Sequence, residues 1–379
     1  MISEQTTVNF LDLKAQYLSI KEEVQQAIHD VFEKASFAGG PFVEKFESEF
    51  AQAHQAEYCV AVNNGTSALH VMMMALEIGA GDEVIVPANT FFASAEAVSL
   101  VGAKPVFVDC DPQSYNIDVS KIESAISSNT KAILAVHLYG QPAPMDAIQK
   151  VAQKHQLLVL EDCAQAHLAK YQGKFVGTIG TAGSFSFYPG KNLGAYGEAG
   201  AVLTNDRNLY LKMQKIKDHG SAKKYYHDMV GHNFRMSAIQ AAVLSVKLRY
   251  LPDWTLTRRN AAAAYRSQLA GLENIILPTE SDDSYHVYHL FVVQVSDRDS
   301  FMQYLRDKGI HCGIHYPIPC HLQKAYEGLG YAVGAFPHAE HLADRVVSLP
   351  MSEQLDEEQI RYVTDTVKEF LTTRNLQQL

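Results

Sequence analysis

Three short segments of this 379-residue chain set reactive side chains among turn-forming ones. In Ser184-Phe185-Ser186-Phe187-Tyr188-Pro189-Gly190-Lys191-Asn192-Leu193-Gly194 a lysine follows an apolar run and sits among small, flexible residues. A lysine withdrawn from water loses proton affinity and becomes an amine nucleophile toward carbonyls. It is not a phosphate-loop lysine, because Gly183 and Gly190 are seven apart and Gly-x-x-x-x-Gly-Lys is absent. Glu161 and Asp162 end the run Leu157–Leu160, where a carboxylate can pair with a cationic ligand nitrogen; a solvated charge or a helix cap is the plainer alternative. Asn64-Gly65-Thr66-Ser67 leads into an expected helix, Ala68–Glu77. Free N–H groups and the helix dipole suit a phosphate there, although the same residues also make an ordinary cap. Together, a loop lysine, an acid after a strand and a phosphate cradle are what pyridoxal phosphate (PLP) requires.

The elements that must position these groups read as a layered α/β protein. Seven short runs are strand-like: Tyr58–Asn63, Glu83–Ala88, Lys104–Asp109, Ala132–His137, Leu157–Asp162, Gly183–Phe187 and Ala199–Thr204. Most are continuously apolar, the pattern of a largely parallel sheet covered by helices on both faces. Before them, Val24, Ala27, Ile28, Val31 and Phe32 fall on one face of a helix spanning about Leu18–Lys34. A second helix runs Phe42–Phe50 after the Gly39-Gly40-Pro41 break. After Ala241 the texture changes. A long helix is expected through Trp254–Leu269 with a break near Pro252, then a strand His286–Val295 and a last helix Glu357–Leu371 with Ile360, Val363, Val367, Phe370 and Leu371 on its apolar face. This divides the chain near residue 250 into a large α/β domain, 1–250, and a smaller α+β domain, 251–379.

Composition narrows the function classes. Lys plus Arg number 32 and Asp plus Glu 42, a formal net charge of −10, so bulk electrostatic binding to nucleic acid is not expected. No apolar run reaches the ~20 residues that span a bilayer. The polar start Met1–Lys14 predicts no signal peptide, so neither a membrane nor secretion is expected. Five cysteines, an odd count without a Cys-x-x-Cys pair, fit a reducing cytoplasm.

Nearly the whole chain resembles the DegT/DnrJ/EryC1/StrS group of PLP-dependent nucleotide-sugar aminotransferases. The resemblance is carried in order by Phe46-Glu47, Asn64-Gly65-Thr66-Ser67-Ala68-Leu69, Gly81-Asp82-Glu83-Val84-Ile85, Pro87-Ala88-Asn89-Thr90-Phe91 and His137-Leu138-Tyr139-Gly140-Gln141. It continues through Glu161-Asp162-Cys163-Ala164-Gln165-Ala166-His167, Ser184 to Gly194, Gly231-His232-Asn233-Phe234-Arg235-Met236 and His315-Tyr316-Pro317. It implies the aspartate-aminotransferase type of fold (fold type I), with a seven-stranded, mostly parallel sheet. It also implies that Lys191 forms the Schiff base with the cofactor and later moves a proton, and that Asp162 pairs with the pyridine nitrogen. Gln165 would contact the phenolic oxygen and Phe91 stack on the ring; Gly65, Thr66 and Ser186 would hold the phosphate. Asn233 would reach the cofactor phosphate of a neighbouring subunit in a homodimer with shared active sites. Two positions depart from the family pattern: Leu168, where Gly is usual, and Glu198, where Asp is common.

Within that family, the residues around Lys191 look most like enzymes that aminate C3 of a dTDP-linked 3-keto-6-deoxyhexose with L-glutamate as donor. Tyr188, His315, Tyr316 and His321, with Tyr225 from the partner, are the expected sugar and diphosphate contacts. UDP-linked 3-keto or nucleotide-linked 4-keto sugars are the alternatives. A regulatory relative is disfavoured by the complete lysine, acid and phosphate set. A dehydratase relative would carry His in place of Lys191. An amino-acid aminotransferase would need a carboxylate-clamping arginine, for which Arg345 and Arg361 are the candidates, and neither sits in a segment resembling such a clamp. Zinc could use His311, Cys312, His315, Cys320 and His321, or His338 and His341, but a Pro-rich turn, Pro317-Ile318-Pro319, divides the first cluster; no metal is expected.

Overall fold

The computed structural model describes residues 7–377. Its centre is a seven-stranded sheet built from β1 (Tyr58–Val62), β2 (Glu83–Pro87), β3 (Lys104–Val108), β4 (Thr130–Val136), β5 (Leu158–Asp162), β6 (Ala182–Ser186) and β7 (Gly200–Thr204). These are the seven expected runs, each within two residues of the expected ends. The order across the sheet is β1-β7-β6-β5-β4-β2-β3. The pairs β2/β3, β2/β4, β4/β5 and β5/β6 are parallel, while β7 runs antiparallel to both of its neighbours. Four of the five residues in each of β1, β2, β5 and β6 are buried. The apolar residues divide between two cores, one on each face: Phe46, Phe50, Phe185 and Phe187 anchor one, and Met72, Met73, Val84 and Leu134 belong to the other.

Two expected helices differ at their ends. The Leu18–Lys34 helix is two, Leu13–Ser19 and Lys21–Glu33, because Ile20 leaves helical geometry at φ −128°. Of its expected apolar face, Val24 and Val31 are buried, but Phe32 is 56% exposed and meets Phe37 edge-on. The Phe42–Phe50 helix extends over Pro41–Ala53, with Pro at its first position where no N–H is needed.

The largest difference lies in the long helix. It runs unbroken over 32 residues, Ala238–Leu269, with Pro252 inside it. Pro252 faces solvent while Leu251 and Trp254 on either side are buried, so packing holds the helix through the missing hydrogen bond. Residue 250 therefore falls mid-helix. The helix's first part, through Leu251, joins the sheet core, and Ala261–Leu269 joins a further core with Phe291, Phe301 and Val363. That core covers a small antiparallel sheet of β8 (Ile275–Ile276), β9 (Phe291–Val295) and β10 (Val346–Leu349). The last helix spans Glu357–Gln377 and buries Ile360, Val363, Val367, Phe370 and Leu371 as expected.

The expected strand His286–Val295 begins only at Phe291. The preceding residues instead bond to the loop after β4: Val287 N donates to Gly140 O (3.1 Å) and Leu290 N to Tyr139 O (3.2 Å). This brings the C-terminal part of the chain over the carboxyl ends of the large sheet. Among the described residues no helix is long and apolar enough to cross a membrane.

Candidate active site

The carboxyl ends of parallel strands open onto a cavity of about 1180 Å³ whose wall includes Lys191, Asp162, Gln165, Gly65, Thr66 and Ser186. Lys191 sits on the turn between β6 and β7. Lys191 N donates to Tyr188 O and Ala195 N to Phe187 O, both at 2.8 Å, closing the loop. Asn192 Nδ2 ties it to Val287 O (3.1 Å), and the buried Lys247 reaches from the long helix to Gly194 O (2.6 Å). Loss of water around its amine pushes the Lys191 pKa down to about 8, against the upward pull of Asp162. Lys247, over the ring of Tyr196, is also lowered to about 8 by burial, but its amine is occupied by the Gly194 carbonyl.

Asp162 ends β5 and is 5% exposed. Its Oδ1 accepts from Ala164 N (3.1 Å) and its Oδ2 from Ser94 Oγ (2.8 Å). Gln165 is held by Tyr139 N, which donates to its Oε1 (2.6 Å), so its amide nitrogen points to the Tyr316 hydroxyl (2.9 Å). Phe91 reaches the cavity mouth with its ring 5.5 Å from that of Tyr316 and 55% exposed.

The Gly65–Ala75 helix starts three residues earlier than expected, capped by Asn64 Oδ1 accepting from Ser67 N (2.8 Å). A Cβ on Gly65 would lie 2.6 Å from Ser186 Cβ. Only glycine lets the helix N-terminus close onto the end of β6, which sets free N–H groups and two hydroxyls on one wall. A buried amine, a carboxylate with open lone pairs and an anion cradle at a helix N-terminus thus converge on one cavity. This donor set fits PLP: Lys191 would meet its carbonyl carbon, Asp162 its pyridine nitrogen, and Gly65, Thr66 and Ser186 its phosphate.

Tyr188, His315 and Tyr316 also line the cavity. His321 does not: it is 1% exposed, and its Nε2 meets Glu340 Oε1 at 3.1 Å. Tyr225, 80% exposed, and Asn233, also exposed, lie outside the cavity wall of their own chain. Arg345 and Arg361 are not in the wall either. The residues weighed as zinc ligands are not brought together, since His315 Nδ1 meets Ser348 Oγ (2.8 Å) while His321 turns to Glu340. The only group of potential ligands among the described residues is His137, Glu161 and Cys163, and the first two already saturate each other. Leu168 takes a left-handed φ of 63°, which explains why glycine is usual there. Glu198 lines the cavity, as do Thr90, His70, Phe234 and His289, which sequence reasoning did not single out. His70 was legible in principle, as it lies one helical turn past Thr66.

The sequence profile of the DegT/DnrJ/EryC1/StrS aminotransferase family matches residues 18–368. A dTDP-3-amino-3,6-dideoxy-alpha-D-galactopyranose transaminase of Aneurinibacillus thermoaerophilus is 47% identical over 96% of this chain and 99% of its own. A UDP-N-acetyl-3-dehydro-alpha-D-glucosamine 3-aminotransferase of Acidithiobacillus ferrooxidans is 43% identical over 98% of this chain and 100% of its own. A pleiotropic regulatory protein of Geobacillus stearothermophilus is 45% identical over 96% and 98%. Among solved structures, S. venezuelae DesV in complex with a ketimine intermediate superposes with a TM-score of 0.95 at 43% identity, over 96% of this chain and 98% of that one. NtdA from Bacillus subtilis with bound cofactor PMP gives 0.91 at 32% identity, over 98% and 86%. With its fold, its cavity and these relatives in agreement, the chain belongs to the DegT/DnrJ/EryC1/StrS aminotransferase family and is a PLP-dependent aminotransferase of nucleotide sugars.

Proposed function

We propose that the chain moves the amino group of L-glutamate to C3 of a dTDP-linked 3-keto-6-deoxyhexose, yielding 2-oxoglutarate and the dTDP-3-amino-3,6-dideoxyhexose. The observation that carries the reading is Lys191, an amine of pKa about 8 in the same cavity as the Asp162 carboxylate. Near neutral pH a useful fraction of such an amine is free to attack a carbonyl and afterwards to take and return a proton. Bound PLP supplies the electron sink that makes the donor's α-proton removable. Asp162 holds a positive charge on the pyridine nitrogen; Gln165 orients the ring oxygen through its fixed amide; Phe91 covers the ring face. Gly65, Thr66 and Ser186 anchor the phosphate at the helix N-terminus.

The substrate reading rests on Ser186–Ala195 and on the dTDP-sugar relatives. Tyr188, His315 and Tyr316 are the sugar contacts within the chain. The active form is a homodimer in which the partner's Asn233 and the partner's Tyr225 complete each cavity. The exposure of both residues in the single chain supports this assembly. A UDP-linked 3-keto sugar is the second reading, favoured by the UDP-sugar relative of equal coverage. Assay of dTDP- and UDP-linked 3-keto and 4-keto sugars with glutamate separates them. Fastest turnover is expected on the dTDP-linked 3-keto sugar, and preference for a 4-keto sugar overturns the regiochemistry. Mixing Lys191→Ala with Asn233→Ala chains restores part of the activity if sites are shared; no rescue after confirmed subunit exchange refutes sharing.

A further inference from the structure

Asp162 is held by a hydroxyl chain whose proton directions are determined. Ser94 Oγ lies 2.8 Å from Asp162 Oδ2, and Thr90 Oγ1 lies 2.8 Å from Ser94 Oγ. An ionised carboxylate only accepts, so the single Ser94 proton goes to Asp162. Thr90 must then donate its own proton to Ser94. All three groups are buried, with Thr90 and Asp162 at the cavity wall: Ser94 is 1%, Thr90 3% and Asp162 5% exposed. The chain is rigidly mounted. Ser94 lies in the first turn of the Phe92–Leu100 helix, its N–H donating to Phe91 O (3.1 Å). The Thr90 carbonyl accepts from Cys320 Sγ (3.4 Å), and Cys320 N donates to Ala88 O (2.9 Å), so the C-terminal part of the chain braces this loop.

With Ala164 N on Oδ1, Ser94 fixes both the tilt and the rotation of the Asp162 carboxylate. A carboxylate that keeps rotating would face a bound pyridinium only part of the time. We propose that Ser94, supported by Thr90, is a positioning residue that aims Asp162 at the cofactor's ring nitrogen and so sets how strongly the protein prefers a cofactor that carries that nitrogen. This rests on the pairing of Asp162 with the ring nitrogen.

The test compares apoprotein affinities for PLP and for 1-deazapyridoxal 5′-phosphate, in which a CH replaces the ring nitrogen. The wild type is expected to prefer PLP. Ser94→Ala is expected to lower that preference about tenfold, the scale of one hydrogen bond to a charged group, by weakening PLP and leaving the deaza analogue unchanged. Ser94→Thr, which keeps the hydroxyl, should retain the preference, and Thr90→Val should lower it less than Ser94→Ala. Equal weakening of both ligands by Ser94→Ala overturns the proposal, because it marks general loosening of the site. Asp162→Asn is the control: if it does not reduce the PLP preference, the pairing of Asp162 with the ring nitrogen fails. If it does and Ser94→Ala does not, only the role of Ser94 fails.

Discussion

Glu161 and Asp162 are neighbours at the end of one strand, and the two faces of the sheet give them opposite fates. Glu161 points away from the cavity and is fully buried. It accepts from His137 Nε2 (3.0 Å), Gly177 N (2.8 Å), Ile179 N (2.9 Å) and Gly180 N (2.6 Å). Because His137 Nδ1 accepts from Ala143 N (2.9 Å), its proton sits on Nε2 and the ring donates as a neutral imidazole. Glycine is required for this arrangement: a Cβ on Gly180 would lie 2.5 Å from Val159 O. Asp162, one residue on, receives two donors and opens the rest of its lone pairs to the cavity. Identical chemistry thus becomes a fastener on one face and a ligand group on the other. The difference is the number of donors the fold leaves unfilled.

The largest expected effect is on the cavity side. Lys191→Ala should lower turnover by ~10³-fold or more, since it removes the nucleophile and proton carrier, and should leave the melting temperature unchanged or raised. A fall in stability matching the lost rate would break the contrast, because it would make Lys191 a fastener too. Borohydride reduction of the holoenzyme and peptide mapping should place the pyridoxyl group on Lys191. The pH dependence follows with a definite sign. A lysine near 8 when folded and 10.5 when unfolded binds fewer protons in the native state between those values. The contribution of Lys191 to the stability of the cofactor-free protein should therefore rise with pH from about 8 to 10.5, read as the difference between wild type and Lys191→Met. Lys247 contributes with the same sign over the same window, while the buried cysteines, whose thiols burial pushes up, oppose both above about pH 9. The Lys191→Met, Lys247→Met double variant should therefore lose the upward contribution of both lysines.

Asp162→Asn comes next, with a rate loss of ~10²-fold or more and near-native stability, because the amide keeps the shape but cannot hold the ring nitrogen protonated. Glu161→Ala should do the reverse. It strands four buried donors, and thermal or urea unfolding should report a loss of about 3–5 kcal/mol. Soluble, stable Glu161→Ala protein with a selective loss of rate would erase the distinction between the two carboxylates.

How much of this could be read beforehand follows from where the information resides. The seven strands were legible because a strand covered on both faces must be apolar throughout, as in Val84-Ile85-Val86. Lys191 drew notice through the flexible residues around it, and the cradle through Gly65 and the two hydroxyls of Thr66 and Ser67 leading into a helix. Which of Glu161 and Asp162 faces the cavity was not legible from local pattern, since it depends on sheet register and on the distant loop 177–180; only the family resemblance singled out Asp162. The helix through Pro252 was misread because a local rule about proline was overruled by packing on Leu251 and Trp254. His286–Leu290 reads as strand by composition, yet its backbone partners are in the loop after β4, more than a hundred residues away.

The smallest effect is expected at His321, where the same donor count applies. Its sequence neighbours, beside the His315-Tyr316 pair, suggested a substrate contact, but the ring is committed elsewhere. Its Nε2 meets Glu340 Oε1 at 3.1 Å, and its edge packs against Phe336 with centroids 4.7 Å apart. Glu340 also accepts from Gly334 N (2.9 Å) and Phe336 N (3.2 Å), so the pair fastens the turn before the Pro337–Arg345 helix. Burial lowers the proton affinity of His321, which leaves it neutral near pH 7 and removes any charge it could offer a diphosphate. His321→Ala should therefore lower stability by about 1–2 kcal/mol and leave KM for the nucleotide sugar within about twofold. A tenfold rise in KM with an unchanged melting temperature would move His321 to the cavity side of the comparison. It would also show that the turn at 334–336 opens when substrate binds, because only then could the ring leave Glu340 for a sugar.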